Sequence, residues 1–192
     1  MAGGTALFGG TFDPIHNAHL IIARAAADQF DLEKIFFVPA SNPPHKVHGA
    51  TAQYEDRVRM VELACNGEPR FEVSRIEEGS ERSYSIRTIE RLEPLICGRL
   101  NFLIGADAFA EIRTWHRWMD VVRQVDFIVV TRPGAVYEPP PGAVIRELRG
   151  LDLPISSSEI RLRLAEGFFD VPVPDKVLRY IEEHGLYRSQ AR

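Results

Sequence analysis

The chain is short of cysteine, of long apolar runs and of positive charge, and each shortage removes a class of function. Only two of its 192 residues are cysteine. Cys65 and Cys97 form no Cys-x-x-Cys pair and cannot build a disulfide framework, so both are expected as buried, reduced thiols beside apolar neighbours. Arg24 interrupts the longest early apolar stretch, and no basic segment with an apolar core opens the chain. Neither a membrane span nor a targeting segment is therefore expected. A formal net charge of −4 leaves no broad basic surface for nucleic acid. His16 and His19 lack the Glu and the i,i+4 spacing of a zinc-binding helix, and no acid lies between Asp13 and Asp28, so no metal held by protein side chains is expected. What remains is a cytoplasmic protein for small molecules, with a homo-oligomer left open.

Hydrophobic residues make up 45% of the chain and charged residues 26%, enough apolar material for one well-buried domain over residues 1–192. Strand and helix signals alternate along it. Continuous apolar runs predict buried strands at Thr5–Phe8, Lys34–Pro39, Phe71–Ser74, Leu100–Ile104 and Phe127–Val130. Between them, Leu20, Ala23, Ala27 and Phe30 recur at helical spacing, as do Val58, Val61 and Cys65, and then Ile86, Ile89 and Leu92. Ser83 and Ser85 are competent caps for the last of these. Ala40–Gln53 and Gly134–Gly142 read as loops. The expected fold is α/β: a Rossmann-like, doubly wound, mainly parallel sheet with a small C-terminal helical part from about residue 155 to 192. Ligands of such sheets bind at the carboxyl ends of the strands.

One such end carries the most distinctive run, Gly9-Gly10-Thr11-Phe12-Asp13-Pro14-Ile15-His16-Asn17-Ala18-His19. Two glycines allow close approach of backbone to a ligand, Asp13-Pro14 turns the chain, and His16 and His19 then fall on one face of a starting helix. Free N–H groups and the helix dipole favour an anion there, so the run reads as a nucleotide site. Far along the chain, Ile155-Ser156-Ser157-Ser158-Glu159-Ile160-Arg161 offers a second anion cradle. Ser156 and Glu159 match a capping box, which explains one serine without a ligand. Ser157, Ser158 and the fork-shaped cation of Arg161 remain to receive a polyphosphate.

Together the two motifs resemble the nucleotidyltransferase superfamily with an HxGH signature. Pro43-Pro44-His45-Lys46, Ser83-Tyr84-Ser85-Ile86-Arg87-Thr88, Gly105-Ala106-Asp107 and Thr114-Trp115-His116-Arg117-Trp118 narrow the resemblance to bacterial nicotinate-nucleotide adenylyltransferases. Two positions depart from that pattern: Ala18 stands at the signature's glycine, and Arg87 where the family has an acid. The resemblance implies transfer of AMP from ATP to nicotinate mononucleotide, with Mg²⁺ on the ATP phosphates. It assigns catalysis to His16, His19, Lys46 and Arg161, and ATP binding to Gly9, Gly10, Thr11, Phe12, Asp107, Ser156, Ser157 and Ser158. It gives the mononucleotide to Tyr84, Ser85 and Trp115. Core packing would equally explain an aromatic such as Trp115, and is the reading for Trp118; a structural cap would equally explain Asp107.

Two other functions stay open. Phosphopantetheine adenylyltransferases share the Gly-Thr-Phe-Asp-Pro run but typically carry Thr where this chain has His16, and lack the Trp115 segment. A nucleotide sensor without catalysis would keep the phosphate cradles. A class I aminoacyl-tRNA synthetase is excluded by the missing Lys-Met-Ser-Lys-Ser run, the short chain and its acidity.

Overall fold

The computed structural model describes residues 4–42, 50–79, 82–131, 136–151 and 153–188. Six parallel strands form the sheet: β1 (Gly4–Gly10), β2 (Leu32–Pro39), β3 (Phe71–Val73), β4 (Leu100–Gly105), β5 (Val125–Val130) and β6 (Ile145–Leu148), in the order β3-β2-β1-β4-β5-β6. This is the doubly wound order expected of the sequence. Helices α1 (Asn17–Phe30), α2 (Tyr54–Cys65), α6 (Ser157–Ala165) and α7 (Asp175–Glu183) supply residues to the core on one face. Helices α3 (Ser85–Leu92), α4 (Ala106–Ala110) and α5 (Trp118–Gln124) supply the other.

The continuous apolar runs follow from this two-sided burial. Along β1, Ala6 and Phe8 enter the first core while Leu7 enters the second; along β2, Ile35 and Phe37 alternate with Phe36 and Val38. Every residue in such a strand must be apolar because neither face meets water. The last strand departs from the expectation. Ile145-Arg146-Glu147-Leu148 is an edge strand whose first three residues are only half-buried, so its charged pair hid it from a search for apolar runs. Short α4 and α5 were also unread, being five and seven residues long.

The C-terminal helical part shares the first core. Ile160, Leu164, Val171, Val173, Val177, Ile181 and Tyr187 are buried in the cluster that holds Ala6, Phe8, Ile35 and Phe37. The two cysteines differ from expectation: Cys65 is buried but Cys97 is exposed, in the turn leading to β4. Burial pushes the Cys65 thiol up to about 12, which suppresses its thiolate. A thiol reagent should therefore label Cys97 quickly in the native protein and Cys65 only on unfolding. Mass spectrometry of labelled peptides checks this.

Candidate active site

Pairing between β1 and β4 stops at Leu7–Phe102, yet both strands continue, to Gly10 and Gly105. The crevice so opened is the topological switch point, where connections leave in opposite directions. Two cavities share it, with Phe8 and Gly105 in the walls of both. The smaller, about 290 Å³, is lined by His16, Ala18, His19, Asp107 and Ser156 among others. The larger, about 610 Å³, takes Gly9, Gly10, Thr11, Tyr84, Ser85 and Trp115.

The smaller cavity gathers the starts of α1 and α6, so two sets of leading N–H groups and two dipoles converge on it. His16 is buried at the α1 cap, and its ring stacks on His19 with centroids 3.7 Å apart. Phe12 and Phe8 close on His19 edgewise, at 5.1 and 5.9 Å. Burial first, and then the neighbouring His16, hold the His19 pKa well below its ordinary value, so the ring is neutral at pH 7. The His16 N–H donates to His19 Nδ1 at 3.2 Å. An accepting Nδ1 on a neutral ring puts the proton on Nε2, which makes His19 an uncharged donor.

The loop between β1 and α1 is held from several directions. Arg57 is fully buried on α2 and donates to the carbonyls of Thr11, Ala40 and Ala52 at 2.7, 2.8 and 3.2 Å. That burial lowers its own pKa. Asp13 is also buried; its carboxylate accepts from the Thr51 and Ala52 N–H groups at 2.7 and 3.1 Å and from the Tyr187 hydroxyl at 2.8 Å. Phe12 holds a left-handed backbone, φ 48°, because its ring packs among Phe8, Phe37 and His19. That ring faces neither cavity, so its side chain shapes the floor beneath them. A Cβ on Gly10 would meet the same ring at 3.0 Å, whereas one on Gly9 would enter open space. Both glycines line the larger cavity; at Gly9 the space for a Cβ is open, and at Gly10 the Phe12 ring fills it.

The serine run serves the loop as well. Ser156 caps α6 by accepting from the Glu159 N–H at 3.2 Å, as its spacing predicted. Ser157 Oγ donates to the Pro14 carbonyl at 3.0 Å. Arg161 donates to the Asp13 carbonyl at 2.7 Å and to Ser158 Oγ at 3.3 Å. Asp107 lies exposed in α4, one residue past its start, and does not cap it. Lys46 lies outside the described residues.

In the larger cavity, Tyr84 and Ser85 open α3, and Trp115 packs on Phe102 with centroids 5.8 Å apart. Trp118 packs on the same core without lining the cavity. Neither expected serine cap forms. Ser83 instead accepts from the Asn42 N–H at 3.0 Å and returns its own N–H to the Asn42 carbonyl. Arg82, His116 and Glu77 also line this cavity and were given no role: His116 stands inside the Thr114–Trp118 segment beside Trp115, and Arg82 and Glu77 stand at positions that no local pattern marks. Arg82 reaches the Tyr84 hydroxyl at 3.4 Å, and the His116 ring lies 4.4 Å from that of Tyr84. Arg87 sits outside, its guanidinium 5.5 Å from the Tyr84 ring centre.

Residues 7–163 match the cytidylyltransferase-like family. A relative from Solibacter usitatus, named "Probable nicotinate-nucleotide adenylyltransferase", is 55% identical over 95% of this chain and 98% of its own. One of the same name from Geobacillus kaustophilus is 40% identical over 98% of this chain and 88% of its own. The chain belongs to the nicotinate-nucleotide adenylyltransferase family. In fold it is similar to Plasmodium falciparum nicotinic acid mononucleotide adenylyltransferase, solved with APC and with NaAD: each superposes with a TM-score of 0.79 at 20% identity, over 96% of this chain and 97% of that one.

In this nicotinate-nucleotide adenylyltransferase Arg161, like Ser157, joins the two motifs, reaching from α6 to a loop 148 positions earlier. Arg161→Lys keeps the charge but cannot bond two acceptors from one planar fork. It should lower kcat/KM for ATP about tenfold or more. Steady-state kinetics with varied ATP check this; unchanged constants would leave Arg161 a structural tie between α6 and the loop, without a part in ATP binding.

Proposed function

We propose that ATP occupies the smaller cavity and nicotinate mononucleotide the larger, so that the acceptor phosphate meets the α-phosphorus of ATP over the wall formed by Phe8 and Gly105. AMP passes to the mononucleotide; deamido-NAD and pyrophosphate result. The observation that carries this is the contrast between two adjoining cavities. One has two helix N-termini and histidine donors for a polyphosphate, the other a flat indole for a pyridinium ring.

The chemistry asks little of a base. A phosphate monoester, with a second pKa of about 6, is already ionised near neutral pH and can attack directly. As the new P–O bond forms, the bond to the β-phosphate oxygen breaks and its electron pair leaves with pyrophosphate. The protein's task is to align two anions and to stabilise charge moving onto the leaving group. His19 Nε2–H and the leading N–H groups of α1 suit the α- and β-phosphates; a neutral donor needs no proton returned after the step. Arg161, Ser157 and Ser158 are assigned to the leaving pyrophosphate, and Lys46 to bridging the donor and acceptor phosphates. Tyr84, Ser85 and Trp115 receive the mononucleotide, and Asp107 suits an adenosine hydroxyl.

Among the described residues no group of three His, Cys, Asp or Glu side chains is arranged to hold a metal ion, and Asp107 is the one carboxylate lining the smaller cavity. That donor set fits a Mg²⁺ held mainly by phosphate oxygens and water. When bound, it supplies further neutralisation of the leaving pyrophosphate. Among those residues no helix is long and apolar enough to cross a membrane, and we propose a cytoplasmic site of action.

Incubation with ATP and nicotinate mononucleotide, followed by mass spectrometry, tests the reading. Deamido-NAD and pyrophosphate are expected. Product from phosphopantetheine instead would transfer the chain to that activity, and ATP binding without any product would make it a sensor.

A further inference from the structure

The last of the described residues lie next to the loop between β1 and α1. Three C-terminal stretches grip residues 13–17. Ser157 and Arg161 of α6 bond the carbonyls of Pro14 and Asp13, the Pro172 carbonyl accepts the Asn17 N–H at 2.9 Å, and Tyr187 reaches the Asp13 carboxylate. The Tyr187 bond is 2.8 Å long, buried at both ends, and spans 174 positions. Tyr187 holds a left-handed backbone, φ 63°, while its side chain packs in the first core. Burial, and then the Asp13 carboxylate beside it, push the phenol pKa up, so the hydroxyl keeps its proton and remains a donor.

We infer that Tyr187 is a positioning residue for ATP, which rests on the adenylyl-transfer reading above. Its hydroxyl fixes the Asp13 carboxylate, whose other contacts tie the Thr51–Ala52 backbone. The Asp13 carbonyl in turn fixes one arm of Arg161. Loss of the hydroxyl leaves a buried carboxylate short of a donor, and it will move to recover one. Such a shift passes to Asp13-Pro14 and then to the start of α1 at Asn17, four and three residues further on, where His16 and His19 stand. The larger cavity touches this loop only through Gly9, Gly10 and Thr11, which are held by β1 and by the Arg57 bond to the Thr11 carbonyl and take no hydrogen bond from the Asp13 carboxylate. The effect should therefore fall on ATP and spare the acceptor.

A neighbour provides the control. Tyr180, in α7, donates to Asp56 of α2 at 2.9 Å, a hydroxyl-to-carboxylate bond of similar length, only partly buried, whose two partners lie outside the loop. Tyr187→Phe and Tyr180→Phe each delete one oxygen and keep the ring. Both are expected to lower Tm. Tyr187→Phe alone should raise the ATP dissociation constant, measured by calorimetry, about tenfold and lower kcat/KM for ATP by a similar factor, with KM for the mononucleotide unchanged. An ATP affinity for Tyr187→Phe within about twofold of that for Tyr180→Phe would overturn the inference and leave a purely structural bond. Wild-type protein that binds ATP but makes no deamido-NAD would defeat the adenylyl-transfer reading alone, since the calorimetric comparison still decides the role of Tyr187.

Discussion

His19→Ala should lower kcat by about 10²–10³ while the protein remains folded, because one well-aimed donor to developing charge is worth that much. The ring is held for the purpose. His16 supplies an N–H to its Nδ1, His16 stacks on one face, and Phe8 and Phe12 close around it. A donor fixed in this way costs no reorganisation when charge moves onto the pyrophosphate. Near-normal turnover in the variant would remove His19 from the transition state. His19→Asn, which retains an amide N–H, should fall between the variant and wild type.

The same ring gives a pH signature. Its folded pKa lies well below 6.5, so as pH falls the unfolded chain takes the proton first. The unfolded state then binds more protons, and stability drops with pH. The contribution is complete above about 6.5 and is lost as pH falls from there through the folded value. Melting curves between pH 7 and 5 should show a smaller loss of Tm in His19→Ala than in wild type. Parallel losses would mean that the buried ring does not titrate as its surroundings require.

The fold was legible because its signals are local. Apolar runs such as Ile35-Phe36-Phe37-Val38 can only be strands buried on both faces, and their alternation with helical stripes implies a doubly wound sheet. Where those signals weaken, the reading failed: β6 carries Arg146 and Glu147 at its centre, and Cys97 sits among apolar neighbours yet faces solvent. At the site, the sequence singled out several of the residues that line the two cavities, and Gly9, Gly10 and Thr11, expected at ATP, line the larger one; it did not show what holds them. Gly10 makes room for Phe12, two positions on, and Ser83 bonds Asn42 rather than capping its helix. Asp13 was noticed as part of a turn, yet its partners are Thr51, Ala52, Tyr187 and Arg161. Contacts separated by 38 to 174 positions leave no periodicity or spacing for a linear reading to detect.

The choice of acceptor carries the other large effect. Nicotinate and nicotinamide mononucleotides differ only in a carboxylate against a carboxamide. On the proposed placement that group meets the Ser85 N–H at the start of α3, the Ser85 hydroxyl and Arg82. Donors and a cation of this kind complement a carboxylate, whereas a carboxamide turns its own N–H groups toward some of them. Each opposed or unsatisfied contact costs about 1–3 kcal/mol, and two together give a selectivity of about 10² or more. Glu77, in the same wall, accepts from the Thr88 hydroxyl of α3 at 2.5 Å and from the Ser41 N–H at 3.4 Å. Arg87 lies outside the cavity, so Arg87→Ala should leave the preference in place. Pyrophosphate release, followed as kcat/KM for the two mononucleotides at saturating ATP, is the most direct test. The account predicts a preference of about 10² or more for the acid; equal values would contradict it and leave an adenylyltransferase that does not distinguish the two.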